Sequence, residues 1–277
     1  MQRLKMPKAF KKHIGNLAKI AEYISHNTHY EIVNIICESN RINDDLLTYS
    51  LVRNVPILKV DEENKIEKYI NKFSEEVIFI MCSYGKRVPV EKCTKHKIFN
   101  IHYAALPKYK GRHPSYWATV GNEKKLGVSI HIVSEEFDRG DIVAQKLVPY
   151  YLWENEDIIF EKLTQQVPEL LDLLYNYLQG DINLIINNSD NYFCPIETVD
   201  ITLDIKNDSP TLLFNKVRSQ SRANGAIIKL EDRSFRIFDI KFTNKEIDNL
   251  FIEGDRLYIK YKSGICIASK KYIKEKE

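Results

Sequence analysis

The chain has 277 residues, 41 basic against 38 acidic side chains and a formal net charge of +3, a length that suits one large domain plus a small module at about 100–200 residues per domain. With 44% hydrophobic and 11% aromatic residues it is a folding, globular composition rather than a disordered one, and so even a charge balance argues against a nucleic-acid partner. Five cysteines without a CxxC pair suggest neither a disulfide framework nor a zinc site, and no metal is implied. No run approaches the roughly 18–20 apolar residues of a membrane span, and the basic start lacks the apolar stretch of a signal peptide; cytoplasmic residence is the expectation.

In chain order, residues 1–13 are basic and interrupted by proline, with no apolar strand. Ile14 to Ser25 places Leu17, Ile20, Ala21 and Ile24 on one helical face. Tyr30–Cys37 reads as a buried strand, Asp44–Arg53 as a helix, Val55–Val60 as extended, Glu62–Phe73 as a helix and Val77–Cys82 as extended again. Such alternation predicts an α/β fold with an open, mostly parallel sheet, and ligands of such sheets bind beyond the carboxyl ends of strands. Strands are expected at Ile98–His102 and Gly127–Ser134, a helix at Pro114–Val120, and a long helical stretch, Asn155–Gln179, interrupted by Pro168.

An Asn-rich connector, residues 187–191, then marks a domain boundary. A catalytic domain over residues 1–185 and a β-rich domain over 195–277 are expected, the latter with a helix at Leu212–Gln220 and strands at Ala226–Leu230, Ser234–Ile240, Arg256–Tyr261 and Gly264–Ala268. A small barrel-like module fits that pattern.

Asn100 and His102 stand two apart, so in a strand both project to the same side. Asp138 follows the next motif-bearing strand, and an amide, an imidazole and a carboxylate at neighbouring strand exits can serve acyl transfer. An apolar pocket around Asp138 would raise its pKa. His131, inside a strand, reads as a structural histidine satisfied by its neighbours. The loop at 108–113 reads as exposed; Lys108 and Lys110 suit a solvated basic surface, Arg112 could fork onto a diphosphate, Tyr109 could pack on a sugar or base, and His113 could join them in binding substrate.

Asn100-Ile101-His102, Leu106-Pro107, Gly111-Arg112-His113-Pro114, Gly127-Val128-Ser129-Ile130-His131 and Asp138-Arg139-Gly140-Asp141 together resemble the formyltransferase family that uses 10-formyltetrahydrofolate. The resemblance implies a Rossmann-like catalytic domain, catalytic roles for Asn100, His102 and Asp138, and a folate co-substrate held near Ser83, Tyr84, Gly85, Lys86 and Val88 and near Val133, Ser134, Glu135 and Phe137. Phe214-Asn215-Lys216-Val217-Arg218 and Asn224-Gly225-Ala226 resemble the family's small C-terminal, OB-like domain. The Gly-Arg-His-Pro segment looks most like enzymes that formylate the amine of a nucleotide-linked (dTDP or UDP) amino sugar, implying a role in bacterial surface glycan or flagellin sugar synthesis. Methionyl-tRNA formyltransferase is the same-chemistry alternative, and an inactive folate or nucleotide-sugar binding protein the alternative of another class. Family members normally begin with a strand and a glycine-bearing turn, which the polar start departs from: either the first strand is unusually polar or the start is altered, and Gly15 suits the opening of the first helix. Whether the C-terminal module binds substrate or makes a homodimer through its sheet edges stays open.

Overall fold

The computed structural model describes residues 2–7, 14–60, 66–82, 84–188, 192–193, 196–221, 225–230, 233–262 and 265–274. The order of elements is β1 (Gln2–Pro7), α1 (Ile14–His26), β2 (Tyr30–Glu38), α2 (Asp44–Val52), β3 (Ile57–Val60), α3 (Glu67–Ile70), β4 (Val77–Cys82), β5 (Ile98–His102), β6 (Lys110–Gly111), α4 (Pro114–Val120), β7 (Lys125–Ile132), β8 (Ile142–Pro149), α5 (Glu156–Thr164), α6 (Val167–Gln179) and β9 (Tyr192–Phe193). There follow α7 (Thr198–Ile201), α8 (Pro210–Arg218), β10 (Ala226–Leu230), β11 (Arg233–Ile237), β12 (Lys241–Thr243), β13 (Leu250–Glu253), β14 (Arg256–Lys262), β15 (Ile265–Ser269) and β16 (Tyr272–Lys274). The chain divides into two compact units, one of Met1–Gly111, Gly127–Val148 and Lys162–Tyr192, the other of Arg112–Leu126, Pro149–Glu161 and Phe193–Glu277.

The first unit is built on a seven-stranded sheet in the order β3-β2-β1-β4-β5-β7-β8. It is mixed: β1 pairs parallel with β2 and β4, β2 with β3 and β4 with β5, whereas β5 and β7 are antiparallel. Strand order reverses between β1 and β4, and the crevice beyond such a reversal is where α/β sheets receive ligands. The sequence Val77-Ile-Phe-Ile-Met-Cys82 is buried throughout, as an interior strand covered on both faces must be. On α1, Leu17, Ile20, Ala21 and Ile24 are all at 2% exposure or less, each large side chain contributing roughly 1.5–3 kcal/mol by its burial. Helix α6 buries Val167, Leu170, Leu171 and Leu174, and its Leu171 carbonyl accepts from Tyr30 at 2.8 Å.

Three expectations are resolved here. Of the two readings of the start, the unusually polar strand holds: Gln2–Pro7 lies inside the sheet, because membership is conferred by backbone pairing on both sides, which apolar periodicity does not detect. The helix expected over Glu62–Phe73 is short, Glu67–Ile70, with 61–65 outside the described residues. The stretch Asn155–Gln179 is two helices, with Pro168 in the first turn of the second, where its missing N–H costs no helical bond.

The second unit carries two antiparallel sheets, β10-β11-β16 and β12-β15-β14-β13. Strands β12, β13 and β16, of three or four residues each, are too short for the sequence pattern to reveal. Helix α8, capped by Ser209 Oγ accepting from the Leu212 N–H at 3.1 Å, sends Leu213 and Val217 into a core with Ile228, Phe235, Ile237, Leu257 and Ile267. Its last residue, Arg218, is only 7% exposed. The guanidinium donates to the carbonyls of Tyr151 (2.8 Å), Leu152 (3.2 Å) and Glu154 (3.4 Å), and to Asn215 Oδ1 (2.9 Å). It also lies 4.0 Å from the Tyr150 ring centroid. The loop it fixes presents Trp153, 76% exposed and stacked on Tyr151.

Candidate active site

Alternate residues of β7 organise the site. Gly127, Ser129 and His131 share one face, since successive strand side chains point to opposite sides. A Cβ on Gly127 would lie 2.8 Å from the Ala105 Cα, so only glycine lets that backbone come so near. Ser129, fully buried, donates to the Ala104 carbonyl at 2.7 Å and accepts from the Leu106 N–H at 3.3 Å. Gln145 adds bonds to the Leu106 carbonyl (2.6 Å) and Ser129 Oγ (3.0 Å). The segment leaving β5 is thereby pinned. In the antiparallel register, Asn100 stands opposite His131 and His102 opposite Ser129.

Asp138 completes the group. Its Oδ1 lies 3.3 Å from Asn100 Nδ2, 3.3 Å from His131 Nε2 and 3.6 Å from His102 Nδ1, while Oδ2 accepts from the Gly111 N–H at 2.8 Å. Asn100, His102 and Asp138, named from the sequence, therefore come together. His131 stands beside them, its ring satisfied by its neighbours as expected: Nδ1 donates to the Ile132 carbonyl at 2.8 Å, leaving Nε2 to accept from Asn100 Nδ2 at 3.1 Å. The signal that would have found it is the antiparallel register, which sequence spacing does not contain. His102 Nε2 donates to the Tyr109 carbonyl at 3.0 Å, so in the neutral ring the lone pair sits on Nδ1, facing the carboxylate.

The expected upward shift of Asp138 is also corrected. Burial works most strongly to raise its pKa, but the positive charge of the His102 and His131 imidazoles when protonated, together with the Gly111 N–H, outweighs it and holds the carboxyl well below its ordinary value. Two close imidazoles make the surroundings polar rather than apolar. Gly140 is forced by sterics: a Cβ there would be 1.8 Å from the Ile132 carbonyl oxygen. Asp138 itself takes φ +56°, a left-handed conformation uncommon outside glycine.

The other expected contacts fall as follows. Val88, buried, packs in one apolar cluster with half-buried Tyr84 and Val133. Arg87 Nε donates to the Glu135 carbonyl at 2.8 Å, and Ser134 Oγ to that of Glu136 at 2.9 Å, so residues 84–88 and 133–137 lie side by side. Lys86 pairs with Glu38 at 3.0 Å. Burial, with Glu38 nearby, pushes the Tyr84 hydroxyl up to about 12. Gly85 is half-buried, Phe137 is 42% exposed, and Ser83 lies outside the described residues. Tyr109 is half-buried and meets the site through its carbonyl. Lys110, read from sequence as a solvated surface lysine, is fully buried, with Nζ 3.4 Å from the Asn187 carbonyl. Exposed Arg112 and His113 belong to the second unit, where His113 precedes α4 with φ +56°. Among the described residues no His, Cys, Asp and Glu cluster suits a metal ion, and no helix is long and apolar enough to cross a membrane.

A mixed α/β sheet here gathers an amide, two imidazoles and a carboxylate, the groups that acyl transfer uses, and because β5 and β7 are antiparallel they meet across paired strands rather than at neighbouring strand exits as expected. A formyl transferase family model (Formyl_trans_N) matches residues 12–173, more than half of the chain. The chain belongs to that family and is a formyltransferase enzyme. It is 24% identical over 241 residues to the methionyl-tRNA formyltransferase of Malacoplasma penetrans, covering 79% of this chain and 73% of that one. Against the Listeria welshimeri methionyl-tRNA formyltransferase it is 27% identical over 179 residues, 63% of this chain and 57% of the relative. Among solved structures, the Helicobacter canadensis N-formyltransferase, crystallised with folinic acid and dTDP-3-aminofucose, superposes with a TM-score of 0.71 at 18% identity, covering 99% of this chain and all of that one. HypX from Aquifex aeolicus superposes at 0.70 and 18% identity over 99% of this chain, which spans 46% of HypX.

Proposed function

We propose that the protein transfers the formyl group of 10-formyltetrahydrofolate to the primary amine of a nucleotide-linked deoxyamino sugar. The observation that carries the reading is a single carboxylate oxygen, Asp138 Oδ1, within 3.3–3.6 Å of Asn100, His131 and His102. The residues fit a folate co-substrate: apolar Val88 and Val133 with Tyr84 form a floor, and the adjoining backbones of 84–88 and 133–137 offer polar groups to a flat ring. When bound, the co-substrate supplies an electrophilic formyl carbon. Asn100 turns the amide hydrogen now aimed at Asp138 towards the negative charge growing on the formyl oxygen, while His131 Nε2 keeps hold of the other. His102 accepts the proton of the attacking amine at Nδ1, the imidazolium is stabilised by Asp138, and the same ring then returns the proton to the departing nitrogen. Arg112 and His113 meet the nucleotide, and Tyr109 the sugar.

The sugar acceptor draws support from the full-length likeness to the Helicobacter canadensis enzyme, whose crystals held dTDP-3-aminofucose. We read residues 1–185 as the Rossmann-like catalytic domain, residues 195–277 as the OB-like one, the compartment as cytoplasmic, and the product as a precursor of bacterial surface glycan. The second reading, methionyl-tRNA, is favoured by the names of the sequence relatives and opposed by a net charge of only +3. Tetrahydrofolate release measured with dTDP- and UDP-linked amino sugars and with Met-tRNA separates the two. Faster formylation of Met-tRNA overturns the sugar assignment, and folate binding without turnover on any acceptor turns the protein into a binding module.

A further inference from the structure

Asp138 points its carboxylate at two imidazoles from a backbone conformation, φ +56°, that an aspartate keeps only when its surroundings impose it. Part of what imposes it comes from a distant stretch of sequence. Asn187 Nδ2 donates to the Asp138 carbonyl at 2.8 Å and to the Gly140 carbonyl at 2.9 Å, and the Asn187 N–H donates to Asp141 Oδ1 at 3.2 Å. The segment carrying Asn187 is itself tied down: Ile185 and Ile142 exchange both backbone hydrogen bonds at 2.9 Å. From the other side, the buried ammonium of Lys110 reaches the Asn187 carbonyl at 3.4 Å, and the adjoining Gly111 N–H holds Asp138 Oδ2 at 2.8 Å.

The asymmetry of the Asn187 amide is informative. The side chain is buried, both acceptors of its NH2 are carbonyls of the Asp138 loop, and its Oδ1 has no hydrogen-bond partner among the described residues. A buried asparagine retained for packing or general polarity would use both ends, since an unpaired buried acceptor is costly. Here only the donor end is engaged, and it grips the carbonyls on either side of Arg139.

We propose that Asn187 is a positioning residue for Asp138, fixing the left-handed turn that brings Oδ1 to His102, His131 and Asn100, with Lys110 securing the segment from which it acts. The proposal rests on Asp138 being the carboxylate of formyl transfer. In the Asn187→Ala variant, kcat should fall about 10- to 100-fold, as expected when a catalytic group moves by about an ångström, with both KM values within about twofold of wild type. A second readout needs no substrate. The Asp138 carboxyl carbon, followed by NMR, should titrate at higher pH in Asn187→Ala, because the imidazoles that hold it ionised no longer face it; loss of packing alone would leave that titration in place. Wild-type kcat together with an unmoved Asp138 titration overturns the proposal. Should Asn187→Ala fail to fold, Asp141→Ala removes one anchor of the same segment and should shift both readouts in the same direction by less, and a null result there is equally fatal. Wild-type protein that formylates no acceptor, while its Asp138 titration still responds to Asn187, refutes the reading of the reaction and leaves the positioning role standing.

Discussion

Asp138 and Arg218 are both ionic side chains withdrawn from water, at 9% and 7% exposure, and their partners differ in kind. Around Arg218 stand main-chain carbonyls, one amide oxygen and an aromatic face; within those contacts nothing exchanges a proton near neutral pH. Around Asp138 stand two imidazoles and a carboxamide, with a single backbone N–H. A buried charge satisfied by backbone suits a scaffold, whereas one surrounded by groups that can give and take protons suits the chemistry proposed for it. Burial alone does not separate the two.

Substitutions can break this contrast. Asp138→Asn, nearly isosteric, should lower kcat on the order of 1000-fold, within the range general acid–base catalysis supplies, while a cooperative thermal transition persists; steady-state rates and calorimetry on one preparation decide it. Arg218→Met should do the reverse, leaving three loop carbonyls without their donor at about 3 kcal/mol of stability, seen as a lower urea midpoint with kcat per folded molecule unchanged. A large fall in its kcat would erase the distinction.

Two smaller effects sharpen it. His131→Phe keeps a ring but removes the acceptor of the Asn100 amide, and should cost about tenfold in kcat, the equivalent of one hydrogen bond to a charged network. The last concerns acid. Because the Asp138 pKa is held low in the folded state, the stability it contributes is complete above the ordinary carboxylate value of about 4 and is lost as pH falls towards its depressed folded value. Melting temperature against pH should therefore fall less steeply at the acid end in Asp138→Asn than in wild type, whereas Arg218→Met should keep the wild-type slope.

What the amino acids disclosed in advance follows the same division. The apolar run of β4 and the amphipathic face of α1 announce themselves because burial selects side chains directly. Asn100, His102 and Asp138 are legible because the family motif is dense. Three features are silent for physical reasons. Strand β1 is polar and is placed by hydrogen bonds on both its edges. Lys110 reads as surface because charge predicts exposure, yet its Nζ finds a carbonyl inside. Asn187 opens an Asn-rich run that reads as linker, and its donors act on a loop more than 40 residues earlier, a relation that no local window contains.

The two tryptophans of the chain, Trp117 and Trp153, both lie in the second unit, one half-buried in α4 and the other at the tip of the loop held by Arg218. Indole fluorescence consequently samples the surroundings of those two side chains, both in that unit. Because Trp153 is already exposed, an emission-monitored denaturation curve follows chiefly the half-buried Trp117, whereas loss of turnover reads the Asp138 cluster directly, so the two report unfolding from different places.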